Sequence, residues 1–450
     1  MTVIDDRSAA HTQESESPVG LPQPRLGRQF LTVWGGQTIS TIGSALSGIG
    51  IAVYVFVTTG SLAWLGILTA VGTLPVLLTS PFLRFTDRYD RRTVMIRADM
   101  AAAIGPAIAL AIALFGDIQP WHLMLAGFAG GLGTSFQVPA YQAALPHLVE
   151  DEQAISRANG LVQLGPAVAL VLGPAIATPI VAWWGITAIL IVDLLSFAIG
   201  AGATALTKFS AMGTSSDDDD GSNRAAFAWL RGHGRALLAL LCVMACINLV
   251  MAFFNLAFFA LAVDLGGVAR AGLAPAVGGA TMVVVSLAMG SRGVPDRRIR
   301  VIAFAISMMA TACVVAAIRP SFGLLLVGVV LALATMPVAN AAVSTMFHEH
   351  VPGHMHGRVF GIRNVLGQIL YPIGSVAAGL IGARVAAPAM TEGGALSSSL
   401  GKVIGVGADR GAALMMLGAA VGLAALVIPL LTNTALTSLD APSCDGRPSA

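Results

Sequence analysis

The sequence predicts an all-α polytopic membrane protein, with twelve transmembrane helices in two six-helix halves. Three observations carry this. Hydrophobic residues make up 56% of the 450-residue chain and charged residues only 11%, against roughly 25% in a soluble globular domain. Apolar runs of about 20 residues, the length that crosses a bilayer, recur along the whole chain. One long polar stretch, residues 208–235, divides those runs into two sets of six.

Residues 1–28 are polar and contain Pro18, Pro22 and Pro24. They read as a disordered cytoplasmic tail without the pattern of a cleavable signal peptide. The first half, 29–207, gives spans near 30–57, 62–82, 94–115, 121–145, 159–183 and 186–206. A surface segment at 147–157 carries Glu150, Asp151 and Glu152. The linker, 208–235, contains Asp217, Asp218, Asp219 and Asp220, followed by Arg224, Arg231 and Arg235. The second half, 236–432, gives spans near 236–263, 272–290, 301–318, 322–347, 359–383 and 411–431, and a polar tail fills 433–450.

Charge sets the orientation. Between spans 2 and 3, Arg84 to Arg92 holds four arginines and two aspartates in nine residues, which hydrocarbon does not accommodate. With an even number of spans, both termini and this loop share a side. That side carries most of the arginines, including Arg25, Arg28, Arg157, Arg297, Arg298, Arg300, Arg358 and Arg363. The excess of basic residues predicts that this side, with both termini, is cytoplasmic. The net charge of +2 and the membrane class point to no nucleic-acid partner. Cys242, Cys246 and Cys313 lie in apolar runs and Cys444 in the tail, so they read as small apolar residues.

The loop between spans 2 and 3 also carries a pattern. Asp87, Arg88, Arg91 and Arg92 match the Asp-Arg-x-x-Arg-Arg ending of the loop motif of the major facilitator superfamily, with Leu83 where that motif has Gly. The layout of two six-helix halves and a cytoplasmic linker resembles the same superfamily. Pro139-Ala140, Leu145-Pro146, Arg157 to Leu161, Asp193 with Ser196-Phe197, and Gly357 to Gly361 resemble the branch that includes the enterobactin exporter and the macrolide efflux proteins. The resemblance runs from about Arg28 to Leu431. It implies a secondary exporter driven by the proton gradient, a proton antiporter, in which the halves rock about a central site. It implies a gate in the charged loop, with Asp99 and Arg358 among its charges, although the loop also sets topology simply by being basic. In span 5, Gly160, Gly173 and Pro174 partly match the antiporter motif of the superfamily; close packing of small residues is the other reading.

Within the spans, Asp193 stands out. Ionising a carboxylate there is unfavourable, which suits a carrier of protons and equally suits a neutral group bonded to a neighbouring helix. Gln37, Gln137, Gln163, Asn248, Asn255, Asn340 and Gln368 are polar residues expected to supply a cavity, because polar groups avoid lipid. Phe136, Tyr141, Phe254 and Tyr371 are candidate aromatic walls. His348, His350, His354 and His356 crowd one segment, but Pro352 and Gly353 interrupt the helix that would align them, so a solvated loop is expected rather than a metal site.

The expected partners are a small-molecule substrate, protons and the lipid bilayer, for a protein acting as a monomer. No cofactor is expected. Neither Lys208 nor Lys402 is followed by Ser or Thr, which removes a P-loop and ATP drive by this chain. No metal-ligand pair or nucleophile elbow points to an enzyme. The expected function is export of an amphipathic siderophore, antibiotic or other secondary metabolite. A nutrient importer and a non-transporting sensor on the same fold are the alternatives.

Overall fold

A computed structural model of the chain describes residues 26–79, 89–149, 155–207, 209, 223–232, 234–292, 297–352 and 355–440. Among the described residues, ten helices are long and apolar enough to cross a membrane. One of them, Arg157–Leu206, has 50 residues. At about 1.5 Å per residue it is far longer than an apolar core of about 30 Å requires. It bends at Gly185, where φ is 72°, a value that favours glycine. Its two arms are span 5 (155–184) and span 6 (186–206). Pro120–Leu148 supplies span 4. Counting the bend and adding that helix turns ten into the twelve spans the sequence predicts.

The others are span 1 (Arg28–Thr59), span 2 (Leu62–Thr79), span 3 (Arg91–Phe115), span 7 (Arg235–Gly266), span 8 (Leu273–Arg292), span 9 (Arg298–Ala317) and span 10 (Phe322–His350). Span 11 (Arg358–Met390) is built from consecutive helices with a π turn at Gly382–Ala386, and span 12 is Arg410–Thr432. Their ends obey local chemistry. Asp90 caps span 3 by accepting hydrogen bonds from the backbone N–H and the hydroxyl of Thr93. Asp440 accepts from the Ile299 N–H and so caps span 9 from the start of the C-terminal segment.

Two features differ from the expected plan. The linker contains a helix, Asn223–Gly232, whose Ala226 and Leu230 are fully buried against the second half. The start of the C-terminal tail also folds back, with Leu436 and Leu439 buried. Arg298 and Glu349 tie spans 9 and 10 together in a two-pronged ion pair near these segments.

In the first half, span 1 lies against span 6 along a stripe of small residues. Gly36 faces Ala203, Ser40 faces Gly200, Gly43 faces Ser196 and Gly50 faces Ile189. Small residues at this spacing let two helix backbones approach closely.

The halves meet on the side remote from the termini. A Cβ on Gly66 of span 2 would collide with the Ser375 carbonyl and crowd Gly379 of span 11. A Cβ on Gly272, at the start of span 8, would collide with the Pro174 carbonyl of span 5. Phe56 of span 1 meets Phe259 of span 7 edge to face. On the terminal side, the first helix of span 11, His356–Gln368, packs on span 7 and the linker helix instead of on span 2. There Asn340, Asn364 and Gln368 are exposed within membrane spans. Polar groups at such positions belong beside water, not lipid.

Candidate functional site

A cavity of 330 Å³ lies within the second half, between spans 7, 9, 10 and 11. Arg363 and Asn364 reach it from the first turns of span 11 and Val343 from the last turns of span 10, so it sits toward the terminal side. Its apolar wall contains Met244, Met251, Met309 and Met336. Methionine is unbranched and polarizable, so such a wall adapts to ligands of different shape. Asn248, Thr335, Asn340, Asn364 and Gln368 add neutral polar groups, and Arg363 adds a cation. The volume is at the small end of the range of about 300–1,000 Å³ typical of small-molecule sites.

Of the polar residues expected to line a cavity, Asn248, Asn340 and Gln368 do so. Asn248 also bridges spans, its side-chain amide donating to the Gly367 carbonyl at 3.0 Å. Asn255 instead donates back to Met251 in its own helix, and Gln163 is exposed on span 5. Phe254 and Tyr141 are packed in the core and do not line the cavity.

Gln37 and Gln137 require a correction. They are buried inside the first half and bonded to each other, the Gln137 amide donating to the Gln37 side-chain oxygen. The Gln37 amide nitrogen in turn donates to Asp99 at 2.9 Å and to the Thr204 hydroxyl at 3.1 Å. Asp99 is corrected with them. It is 2% exposed and lies in this buried polar network, not in a charged cytoplasmic surface. Spans 1, 3, 4 and 6 thus satisfy one another's buried polar groups, which is the arrangement a low dielectric favours.

Asp193 lies on the same span 1–span 6 seam. It is buried, its Oδ1 has no hydrogen-bond partner among the described residues, and Ser47 of span 1 is the polar neighbour of the carboxylate. It does not face the cavity.

Asp87 and Arg88 lie outside the described residues, as does His354. Arg92 donates to the backbone carbonyls of Thr204 and Ala205 at the end of span 6. It neutralises unpaired carbonyls at a helix C-terminus of its own half. Arg91 and Arg358 begin spans 3 and 11. Gly160 is exposed with no atom near its missing Cβ, whereas Gly173 packs on Ala45 and Pro174 forms the contact with Gly272. His348 and His350 close the last turn of span 10.

Sequence reasoning missed Arg363 as a site residue. The expected span 11, 359–383, contains it, but the sequence reading uses it for its charge at the cytoplasmic end and not as a cavity residue. Phe360, Arg363, Asn364 and Gln368 recur at three- and four-residue spacing, which places them along one helix face and was a readable signal. Asp90 was also missed as a cap, and Asp90-x-x-Thr93 is the pattern that announces one.

Residues 33–375 match the family description Major Facilitator Superfamily. The chain belongs to this superfamily. Among curated relatives, macrolide efflux protein A of Streptococcus pyogenes is 26% identical over 366 residues, covering 79% of this chain and 90% of the relative. Macrolide efflux protein A of Enterococcus faecalis is 25% identical over 316 residues, covering 68% of this chain and 97% of the relative. The fold is shared with solved facilitators. The nucleoside transporter NupG superposes with a TM-score of 0.67 at 12% identity, covering 90% of this chain and 100% of that one. A bacterial homologue of the human lysosomal transporter Spinster, inward-facing and unoccupied, gives 0.63 at 15% identity, covering 92% and 96%. This facilitator is therefore a multi-pass membrane transporter.

Proposed function

We propose that this facilitator exports an amphipathic small molecule, an antibiotic, siderophore or other secondary metabolite, in exchange for protons. The observation that carries the reading is the methionine-walled cavity toward the terminal side of a molecule shut on its remote side. The distribution of arginines makes the terminal side cytoplasmic, so the cavity is reached from within the cell. The names of the curated relatives support efflux as the direction and an antibiotic-like cargo. Alternating access then requires the Gly66–Gly379 and Gly272–Pro174 contacts to part while the cytoplasmic ends close. The loop of Asp87, Arg88, Arg91 and Arg92, with Arg358, supplies charges for that closed cytoplasmic face. Gly160, Gly173 and Pro174 support antiport by their partial match to the antiporter motif, and Pro174 adds a contact between the halves. Asp193 carries the proton, since a buried carboxylate with an unpartnered oxygen gains most from protonation. One chain contains every part named here, so a monomer suffices.

The test uses everted membrane vesicles, a labelled macrolide and a panel of siderophores. An imposed gradient, acid inside, is expected to drive uptake of at least one compound. A protonophore and Asp193→Asn should each abolish the accumulation. Accumulation that ignores the gradient would sink antiport. Failure of every compound to move would favour a sensor on the same fold.

A further inference from the structure

The cavity holds a feature that its expected cargo does not explain. Among the described residues, Arg363 is its sole charged lining residue, and no Asp or Glu lines it. Among the described residues Arg363 has no hydrogen bond and no ion pair. Its guanidinium instead rests 5.3 Å from the centre of the Phe347 ring and 5.5 Å from that of Phe360. Phe347 is fully buried, so this support is fixed. Aromatic faces hold a guanidinium in place without neutralising it.

Two acids described at the terminal ends of spans 9 and 10 are committed elsewhere. Glu349 pairs with Arg298, and Asp440 accepts from Ile299. An uncompensated cation at a partly dried wall is unfavourable until something of opposite polarity arrives. The guanidinium offers a planar fork of donors suited to a carboxylate or a similar oxyanion. Asn340, Asn364 and Gln368 beside it make no side-chain hydrogen bond among the described residues, so their amide donors are available too.

We infer that this cavity selects its cargo by charge: it takes a molecule with an apolar body against the methionines and an anionic or oxygen-rich acceptor group at Arg363, and it rejects organic cations. The inference rests on the cavity being the cargo site. It narrows the substrate class in a way that the relatives' names do not. A positively charged amine placed in the cavity would meet Arg363 with no carboxylate to offset it.

Two xanthene dyes of shared skeleton and opposite charge provide the probe: anionic fluorescein and cationic rhodamine 6G. Binding to the purified full chain in neutral detergent is read by fluorescence anisotropy, and transport by uptake into everted vesicles. Fluorescein should bind about tenfold tighter than rhodamine 6G, a difference of about 1.4 kcal/mol. Arg363→Gln should remove the preference, and Arg363→Lys should retain much of it, which separates charge from folding. Met309→Trp, which fills the cavity from span 9, should weaken both dyes. Equal binding of the two dyes, a cation preference, or a preference that survives Arg363→Gln overturns the inference. If neither dye binds, the cavity is not the cargo site and the inference falls with it. Selective binding without uptake supports charge selection and counts against export.

Discussion

The residue that organises the interior of the first half is Gln37. Its amide nitrogen serves Asp99 and Thr204 and its oxygen serves Gln137, so one side chain satisfies groups on three other helices. Replacing it by Leu strands the Asp99 carboxylate and the Gln137 amide together. An orphaned buried polar group destabilises by about 1–3 kcal/mol. Gln37→Leu should therefore lower the thermal unfolding midpoint of the purified protein clearly more than Gln163→Leu, whose parent side chain is exposed. Equal shifts would show that the network contributes nothing to stability. The sequence made both residues look alike, as amides in apolar spans. What separates them is the direction each helix turns within the bundle, and a single sequence with little amphipathic contrast does not encode that legibly.

At the scale of elements, two glycines set the conformation. Gly66 and Gly272 let spans from opposite halves touch backbone to backbone on the remote side. Gly272→Val puts two extra methyl groups and a Cβ into the Pro174 carbonyl. Overpacking of this kind disfavours a contact by about 1–3 kcal/mol. The remote side should then open more often. The check is the labelling rate of Leu62→Cys by a membrane-impermeant maleimide, with the native cysteines replaced by Ala. Gly272→Val should speed labelling, and Gly160→Ala, with no atom close to its Cβ, should not. An unchanged rate in the valine variant would remove Gly272 from the closure. The spans themselves were legible because bilayer thickness dictates their length, and the Trp183-Trp184-Gly185 turn was legible as a break. The small-residue stripe of span 1 was visible too, but its partner was not, since a stripe does not name the helix that fills it. The linker helix Asn223–Gly232 was hidden for a different reason. Its apolar run, Ala225 to Leu230, is six residues long, too short to stand out beside runs of twenty.

At the scale of the whole molecule, the buried carboxylates and the cavity occupy different halves. Asp193 and Asp99 both face the span 1–span 6 seam of the first half, while the cavity belongs to spans 7, 9, 10 and 11. If protons and cargo competed for one pocket, removing the carboxylate would alter binding directly. With the sites apart, coupling has to pass through the rocking of one half on the other. A ligand shifts such an equilibrium only by its differential affinity for the two states. The arrangement thus separates two measurements that a shared site would join. In Asp193→Asn, gradient-driven accumulation in everted vesicles should fall to the level set by passive exchange. Fluorescein binding to the same variant in detergent should stay within about threefold of the parent, less than 1 kcal/mol. Arg363→Gln should give the opposite pattern, with binding of the anionic dye weakened and the proton leak unaltered. A loss of dye binding in Asp193→Asn as deep as that in Arg363→Gln would place both residues on one site, and a two-compartment mechanism would no longer stand.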